Sequence, residues 1–387
     1  MKYTLSDDTW NINEENAVKE VLASHMFSMG EKVKQFEKEF ADKFGAKYAI
    51  MTSSGSTANL LAIAAMVYSH RLNPGDEVIV PAVSWSTTYF PLAQHGLKLR
   101  FVDIDPQTLN IDVSQLEGAI TQKTKMIFLV NLLGNSNEFN AIKDICKNKN
   151  IIFAEDNCES MGAMYEGQKL GTIGLFGTYS TFYSHHLCTM EGGVVVTDDE
   201  ILYHYMLAVR AHGWTRNLPS DSPIYTKKQD SFYESFNFIV PGYNLRPIEM
   251  EAAIGLEQLK KLDRIISQRR KNAEYFRERL KEIPGVRNQK EVGESSYFGF
   301  AVILEDGNLG KRNQVVEALR NNEIEVRPIV AGNFVRNKAI EYLDYTIYGK
   351  LASADEIHDN GFFIGNHSCD NSREIDWFIE TLKSTLM

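Results

Sequence analysis

The sequence predicts an α/β fold: a mixed, mostly parallel sheet covered by helices, followed by a smaller C-terminal α/β unit. Three observations carry this expectation. Short β-branched and aromatic runs alternate with helix-like segments through the first 250 residues, polar turns close several of the runs, and a long charged helix leads to a second, shorter alternation. Runs that are apolar along their whole length, rather than at every second residue, suit strands buried on both faces, as in parallel sheets. At 387 residues the chain can hold two domains and a substantial core. The expected division is a large domain over 1–250, and a linking helix with a small domain over 251–387.

Taken in order, 48–51 (YAIM) reads as a strand ended by the polar turn Thr52-Ser53-Ser54-Gly55, and 56–68 as a helix rich in Ala and Leu. Strands follow at 77–82 (EVIVPA), 99–104 (LRFVDI), 125–131 (KMIFLVN) and 151–155 (IIFAE), with helix-like segments such as 113–120 and 138–147 between them. Such alternation argues for a parallel sheet. Two further strands are expected at 178–184 and 193–197. The segment 215–240 is long, polar and aromatic, a length that marks a functional or mobile loop in a compact domain. A helix over 247–266, with Pro247 in its first turn, continues through the charged 269–281. Strands at 298–304 and 325–330 and a helix near 373–386 complete the C-terminal unit.

Hydrophobic content of 43% and charged content of 24% fit a soluble globular protein. The net charge of −10 argues against a nucleic-acid or anionic-membrane binder. Neither a signal-peptide pattern nor an apolar stretch near the ~20 residues of a membrane helix is visible, so a cytoplasmic enzyme without membrane partners is expected. Cys146, Cys158, Cys188 and Cys369 are scattered without zinc-like spacing and read as reduced thiols.

Four clusters could carry chemistry. Ser53-Ser54-Gly55-Ser56-Thr57-Ala58-Asn59 lies between strand and helix, where free N–H groups and the helix dipole favour an anion; alone it reads equally well as an N-cap. Glu155-Asp156-Asn157-Cys158-Glu159 follows a strand, at the end of the sheet where ligands gather. A carboxylate there could keep a ring nitrogen protonated, or simply cap a turn. The third cluster, Ser180 to Gly193, contains His185-His186. Adjacent side chains of an extended segment face opposite ways, so no metal site is expected, whereas one imidazole suits acid–base work. Pro241-Gly-Tyr-Asn244-Leu-Arg246-Pro247 alone is a loop and helix start.

In this order and spacing the clusters resemble the DegT/DnrJ/EryC1/StrS family of sugar aminotransferases and dehydratases, from about residue 8 to the C-terminus. The resemblance implies the fold type I architecture of aspartate aminotransferase, pyridoxal 5′-phosphate or pyridoxamine 5′-phosphate as cofactor, and a homodimer with shared sites. It places the cofactor phosphate on Gly55, Ser56 and Thr57, with Ser180 a further phosphate ligand. Trp85 takes the position of the aromatic residue that stacks on the pyridine ring. Asp156 matches the aspartate paired with the ring nitrogen, and Glu159 stands where a glutamine or histidine is common. Asn244 matches an asparagine reaching the phosphate from the other subunit.

The departure is the lysine. The family's lysine falls six residues before the glutamate of Glu191-Gly192-Gly193, and here that residue is His185, with His186 the alternative if the register slips by one. An imidazole cannot make the covalent link that a lysine amine makes with the cofactor, which must then be held non-covalently. Two branches of the family carry this substitution, and both remove the C3 hydroxyl of a 4-keto-6-deoxy nucleotide sugar. One uses an iron–sulfur cluster, which needs about four clustered cysteines; the cysteine spacing here points to the other, which acts on GDP-4-keto-6-deoxymannose in deoxysugar and O-antigen synthesis. There L-glutamate restores the amine form of the cofactor. His185 is expected to move the proton that lets the hydroxyl leave, while His212, Arg216 and Arg327 are expected to bind substrate, the arginines reading equally as surface ion pairs. A true keto-sugar aminotransferase and a non-catalytic sugar-nucleotide sensor are the competing readings.

Overall fold

Eight strands form the larger sheet of the computed structural model, which describes residues 2–387. The chain begins with α1 (Ile12–Ser24) and α2 (Glu31–Phe44), then alternates through β1 (Tyr48–Thr52), α3 (Gly55–Tyr68), β2 (Glu77–Pro81), α4 (Ser86–Gln94), β3 (Lys98–Val102), α5 (Val113–Ala119), β4 (Thr124–Val130), α6 (Phe139–Lys149) and β5 (Ile152–Asp156). A small hairpin, β6 (Met164–Tyr165) and β7 (Gln168–Lys169), precedes β8 (Phe176–Ser180), β9 (Gly193–Thr197), α7 (Glu200–Arg210) and the short α8 (Ser231–Glu234). The last third comprises α9 (Glu249–Leu280), β10 (Val286–Arg287), β11 (Gly299–Leu304), α10 (Arg312–Asn321), β12 (Val326–Arg327), β13 (Tyr345–Ile347), α11 (Ala352–Asn360), β14 (Gly361–Gly365) and α12 (Ser372–Leu386).

The large sheet has the order β1-β9-β8-β5-β4-β2-β3-β13. Strands β13, β3, β2, β4, β5 and β8 pair in parallel, and β9 and β1 close one edge antiparallel. Every residue of β2, β8 and β9 is buried, as strands lying between helix layers require. A second, antiparallel sheet, β10-β11-β14-β12, has its own core of Phe276, Phe300, Val302, Ile364 and Phe378 beneath α9 and α12. Strand β13 returns from this region to the edge of the large sheet, pairing Tyr345 with Leu99.

Several expected boundaries move for physical reasons. The strand expected at 178–184 stops at Ser180, and a tight loop carries the histidines instead. At 325–330 only Val326–Arg327 pairs, because Pro328 has no N–H to donate. Helix α9 begins at Glu249 with Ile248 as its N-cap, so Pro247 lies before the helix rather than in its first turn. The segment 215–240 is an excursion closed by a Trp214–Phe238 bridge, and the Glu234 carboxylate organises it by accepting from Thr215 Oγ1 (2.7 Å), Tyr225 Oη (2.8 Å) and Lys228 N (3.0 Å).

Helix α2 starts at Gly30, which offers no capping side chain. Glu249 supplies the missing acceptor: its carboxylate takes hydrogen bonds from Gly30 N (2.7 Å), Lys32 N (2.9 Å) and Val33 N (3.1 Å) while buried at the start of α9. Removing it strands three donors. We expect Glu249→Ala to cost roughly 2–3 kcal/mol of stability, read as a lowered urea midpoint, with Glu249→Gln less affected.

Candidate active site

Strand register brings the scattered clusters to one end of the large sheet. Thr52 pairs with Gly193, Gly193 with Ser180, Thr178 with Asp156, and Asp156 with Val130. The turn after β1, the loop between β8 and β9 and the turn after β5 therefore surround one cavity of about 280 Å³. Ser54, Gly55, Ser56, Trp85, Asp156, Glu159, Ser180, His185 and Arg327 line it, together with Phe298 and Phe363 from the smaller sheet's region.

At the start of α3, Ser54 and Thr57 form a reciprocal cap: Ser54 Oγ accepts from Thr57 N (3.1 Å) and Thr57 Oγ1 accepts from Ser54 N (2.9 Å). The Gly55 and Ser56 N–H groups are left without intrahelical acceptors, at the positive end of the helix. The structure places Thr57, expected beside the phosphate, within this cap. Its hydroxyl, which also donates to Ser54 O (2.8 Å), serves the cap and does not line the cavity. Gly55 is required by space, since an added Cβ would lie 2.6 Å from Ser180 Cβ. We expect Gly55→Ala to weaken anion binding here by at least ~10-fold, about one hydrogen bond to a charged group, measurable by titrating the apo-protein with cofactor.

The adjacent carboxylates of β5 have separate tasks. Glu155 is fully buried and accepts from the amides of Gly171 (2.7 Å), Ile173 (2.9 Å) and Gly174 (2.8 Å), so it shapes the loop before β8. Asp156 faces the cavity. Its Oδ2 accepts from Asn59 Nδ2 (2.8 Å) and Thr88 Oγ1 (2.8 Å), and its Oδ1 from Cys158 N (3.1 Å). Asn59 is fixed in turn by Thr178 Oγ1 (2.6 Å), and Thr88 by Ser84 (2.8 Å). Asn59 closes the first sequence cluster and Thr88 lies in α4; neither reads as a partner of Asp156 until the sheet brings the carboxylate between them. Glu159 accepts from Leu133 N (2.9 Å). Burial, and then the Asp156 charge, pushes its carboxyl up to about 7 against that hydrogen bond.

The loop between β8 and β9 is tight: Thr181 N donates to Gly192 O (2.9 Å), Tyr183 N to Met190 O (3.1 Å), and the Thr181 and Thr189 hydroxyls meet at 2.5 Å. Trp10 Nε1 holds Cys188 O from outside (3.3 Å). The histidines thus sit in a turn, not the extended segment expected, yet they diverge. His185 lines the cavity, while His186 is buried with Nε2 against Ser296 O (3.1 Å). Burial, then Arg269 and Arg327, pushes the His185 imidazole down to about 3, which keeps it neutral.

Arg327 lines the cavity mouth, and its guanidinium makes no hydrogen bond or ion pair among the described residues. Trp85, 58% exposed, stands at the start of α4 on the rim. The remaining expected residues lie elsewhere. His212, Arg216 and Asn244 do not line this chain's cavity. His212 N bonds Tyr243 O (2.7 Å), Ala211 bridges to Asn244, and the Arg216 guanidinium lies 5.4 Å over the Trp214 ring. Pairing of 211–214 with 238–244 holds all three on an exposed surface, away from the cavity of their own chain.

The model of the DegT/DnrJ/EryC1/StrS aminotransferase family matches residues 9–383. The chain belongs to this family. It is 54% identical to GDP-4-keto-6-deoxy-D-mannose 3-dehydratase of Escherichia coli O55:H7, over 99% of this chain and all of that one. A crystal structure of GDP-4-keto-6-deoxymannose-3-dehydratase with a trapped PLP-glutamate geminal diamine superposes with a TM-score of 0.96 at 54% identity, covering 99% of this chain and 100% of that chain. A histidine-to-asparagine mutant of the same enzyme, with bound GDP-perosamine, gives the same score, identity and coverage. Membership explains the fold, with its large sheet of mostly parallel strands and the cavity at one end of it.

Proposed function

We propose that this chain is a pyridoxamine-phosphate-dependent dehydratase that removes the C3 hydroxyl of GDP-4-keto-6-deoxymannose, with L-glutamate regenerating the amine form. One observation carries the reading beyond the family: the described residues that line the cavity include an imidazole, His185, and no lysine. The residues present fit the cofactor. The free amides of Gly55 and Ser56 and the Ser180 hydroxyl would hold its phosphate, in a cradle that a Cβ on Gly55 would fill. Asp156, its carboxylate fixed by three donors, would pair with the ring nitrogen, Trp85 would stack on the ring, and Glu159 would meet its edge.

When bound, the cofactor supplies an amine that condenses with the C4 ketone and a protonated ring that accepts electrons. His185 Nε2 takes up a proton and gives it to the C3 oxygen, which leaves as water. Arg327 at the mouth binds the diphosphate or the glutamate carboxylate.

The active form we infer is a homodimer. Phe182 (39%), Tyr183 (49%) and Met190 (40%) are large apolar side chains exposed beside the cavity, and Phe232, Tyr233, Phe236 and Phe238 are exposed on the 215–240 excursion. A second copy covering these surfaces would bring Asn244, His212 and Arg216 to its partner's site. The division into domains over 1–250 and 251–387 and a cytoplasmic location belong to the same reading; no helix among the described residues is long and apolar enough to cross a membrane.

Incubating the enzyme with glutamate and GDP-, CDP- and dTDP-linked 4-keto-6-deoxy sugars tests the substrate. GDP-4-keto-6-deoxymannose should be consumed fastest. Equal consumption of the CDP or dTDP sugars would remove the nucleotide assignment.

A further inference from the structure

A histidine that works as a base usually has its second ring nitrogen hydrogen-bonded to a carboxylate or carbonyl, which fixes tautomer and ring plane. His185 has no such partner: its Nδ1 is buried and unpaired, which leaves Nε2 for the cavity. Two rings pack against the imidazole instead. Phe182 lies 6.0 Å away but belongs to the same loop and is itself exposed. Phe298 lies 5.0 Å away, tilted at 57°, and also touches the His186 ring at 5.8 Å.

Phe298 is held unusually firmly. Its N–H donates to Leu133 O (3.0 Å), and its carbonyl accepts from Arg269 Nη1 (3.0 Å). The preceding Tyr297 has a left-handed backbone (φ 47°) without being glycine, and its carbonyl accepts from Asn366 Nδ2 (2.9 Å) and from Arg269 (3.4 Å). Arg269 is 1% exposed in the middle of α9, and no carboxylate pairs with it among the described residues. A buried guanidinium bound only to carbonyls is costly, and an apolar side chain of similar size would pack there at less expense.

We propose that Arg269 and Phe298 are positioning residues for His185: the guanidinium locks the Tyr297–Phe298 carbonyls, and the Phe298 ring sets the plane of an imidazole that no hydrogen bond orients. The proposal rests on the role of His185 given above. With Nε2 free to accept, the neutral ring carries its hydrogen on the unpaired Nδ1, and a protonated ring would lie near the fixed Arg269 and Arg327 charges, so it passes the proton on rather than storing it. The charged groups acting on His185 are Arg269 from α9 and Arg327 from β12; Asp7 acts on Arg269, and His186 is the neighbouring imidazole.

The test compares Phe298→Leu, Arg269→Met, Arg269→Lys and His185→Asn as cofactor-loaded enzymes. The readouts are thermal midpoint, kcat and KM for GDP-4-keto-6-deoxymannose, the pH profile of kcat/KM, and the His185 titration by NMR with labelled histidine. Phe298→Leu should lower kcat ~10-fold or more with KM little changed, since a displaced base loses reach. Arg269→Met should raise the acid limb of kcat/KM and the His185 titration together by about one pH unit, and Arg269→Lys should restore most of the wild-type profile. If Arg269→Met does not fold, Phe298→Leu decides alone. Wild-type kcat and an unmoved profile in folded Phe298→Leu and Arg269→Met overturn the proposal. Should His185→Asn still dehydrate the sugar, the role of His185 itself fails; its loss of activity beside wild-type behaviour of the other variants condemns only the positioning.

Discussion

His185→Lys should turn the chain into one that borohydride fixes to its cofactor, and should lower dehydration by roughly 10²–10⁴-fold, the usual worth of a positioned acid–base group. No lysine lines the native cavity among the described residues, so borohydride should leave the native cofactor extractable. The introduced amine would sit where His185 enters the cavity, near Ser184, Phe298 and the Ser180 cradle, and would capture the cofactor aldehyde covalently. It would also remove the imidazole that, among the described residues, reaches the cavity, because His186 is turned away onto Ser296. Mass spectrometry of the reduced, digested protein checks the first effect, and the rate of C3 deoxygenation checks the second. Covalent capture at any lysine of the native chain would contradict the assignment.

Asp156→Asn should reduce turnover on the order of 10²–10³-fold, the scale of one preorganised charge partner in a water-poor site. Asn59 and Thr88 already donate to Oδ2 and the Cys158 amide to Oδ1. An amide can satisfy only part of this set, and its NH₂ group would face a donor. The protonated ring nitrogen would also lose its counter-charge. Turnover measured beside the cofactor's absorbance spectrum separates the two effects, since loss of ring protonation alters the spectrum even where the cofactor remains bound. Unchanged turnover would mean that Asp156 is a strand-end cap.

Much of this was legible in the chain. The runs at 77–82 and 125–131 predict buried parallel strands because they are apolar on both faces, and both lie at the centre of the large sheet. The turn at Ser54–Gly55 is legible because small residues and hydroxyls at a helix start have few other uses. His185 emerges from counting back from Glu191. Other features depend on tertiary neighbours that no local pattern encodes. Arg269 opens the charged stretch 269–281, yet it is buried, with its guanidinium on the carbonyls of Tyr297 and Phe298. Thr57 has the same chemistry as an anion ligand, and only the geometry of the turn commits its hydroxyl to Ser54. Tyr345–Ile347 is three residues long, too short for any periodicity to predict its return to the large sheet. The resemblance implies that His212 and Arg216 bind substrate, but a sequence does not say which chain's cavity they face.

The central claim is that His185 directs the bound sugar toward loss of its C3 hydroxyl rather than toward amine transfer. A single turnover of the enzyme loaded with pyridoxamine phosphate, mixed with GDP-4-keto-6-deoxymannose and resolved by NMR of the product, tests it most directly. The expected product is a 4-keto sugar without oxygen at C3, released with one equivalent of ammonia. An amino sugar with its C3 hydroxyl intact would contradict it.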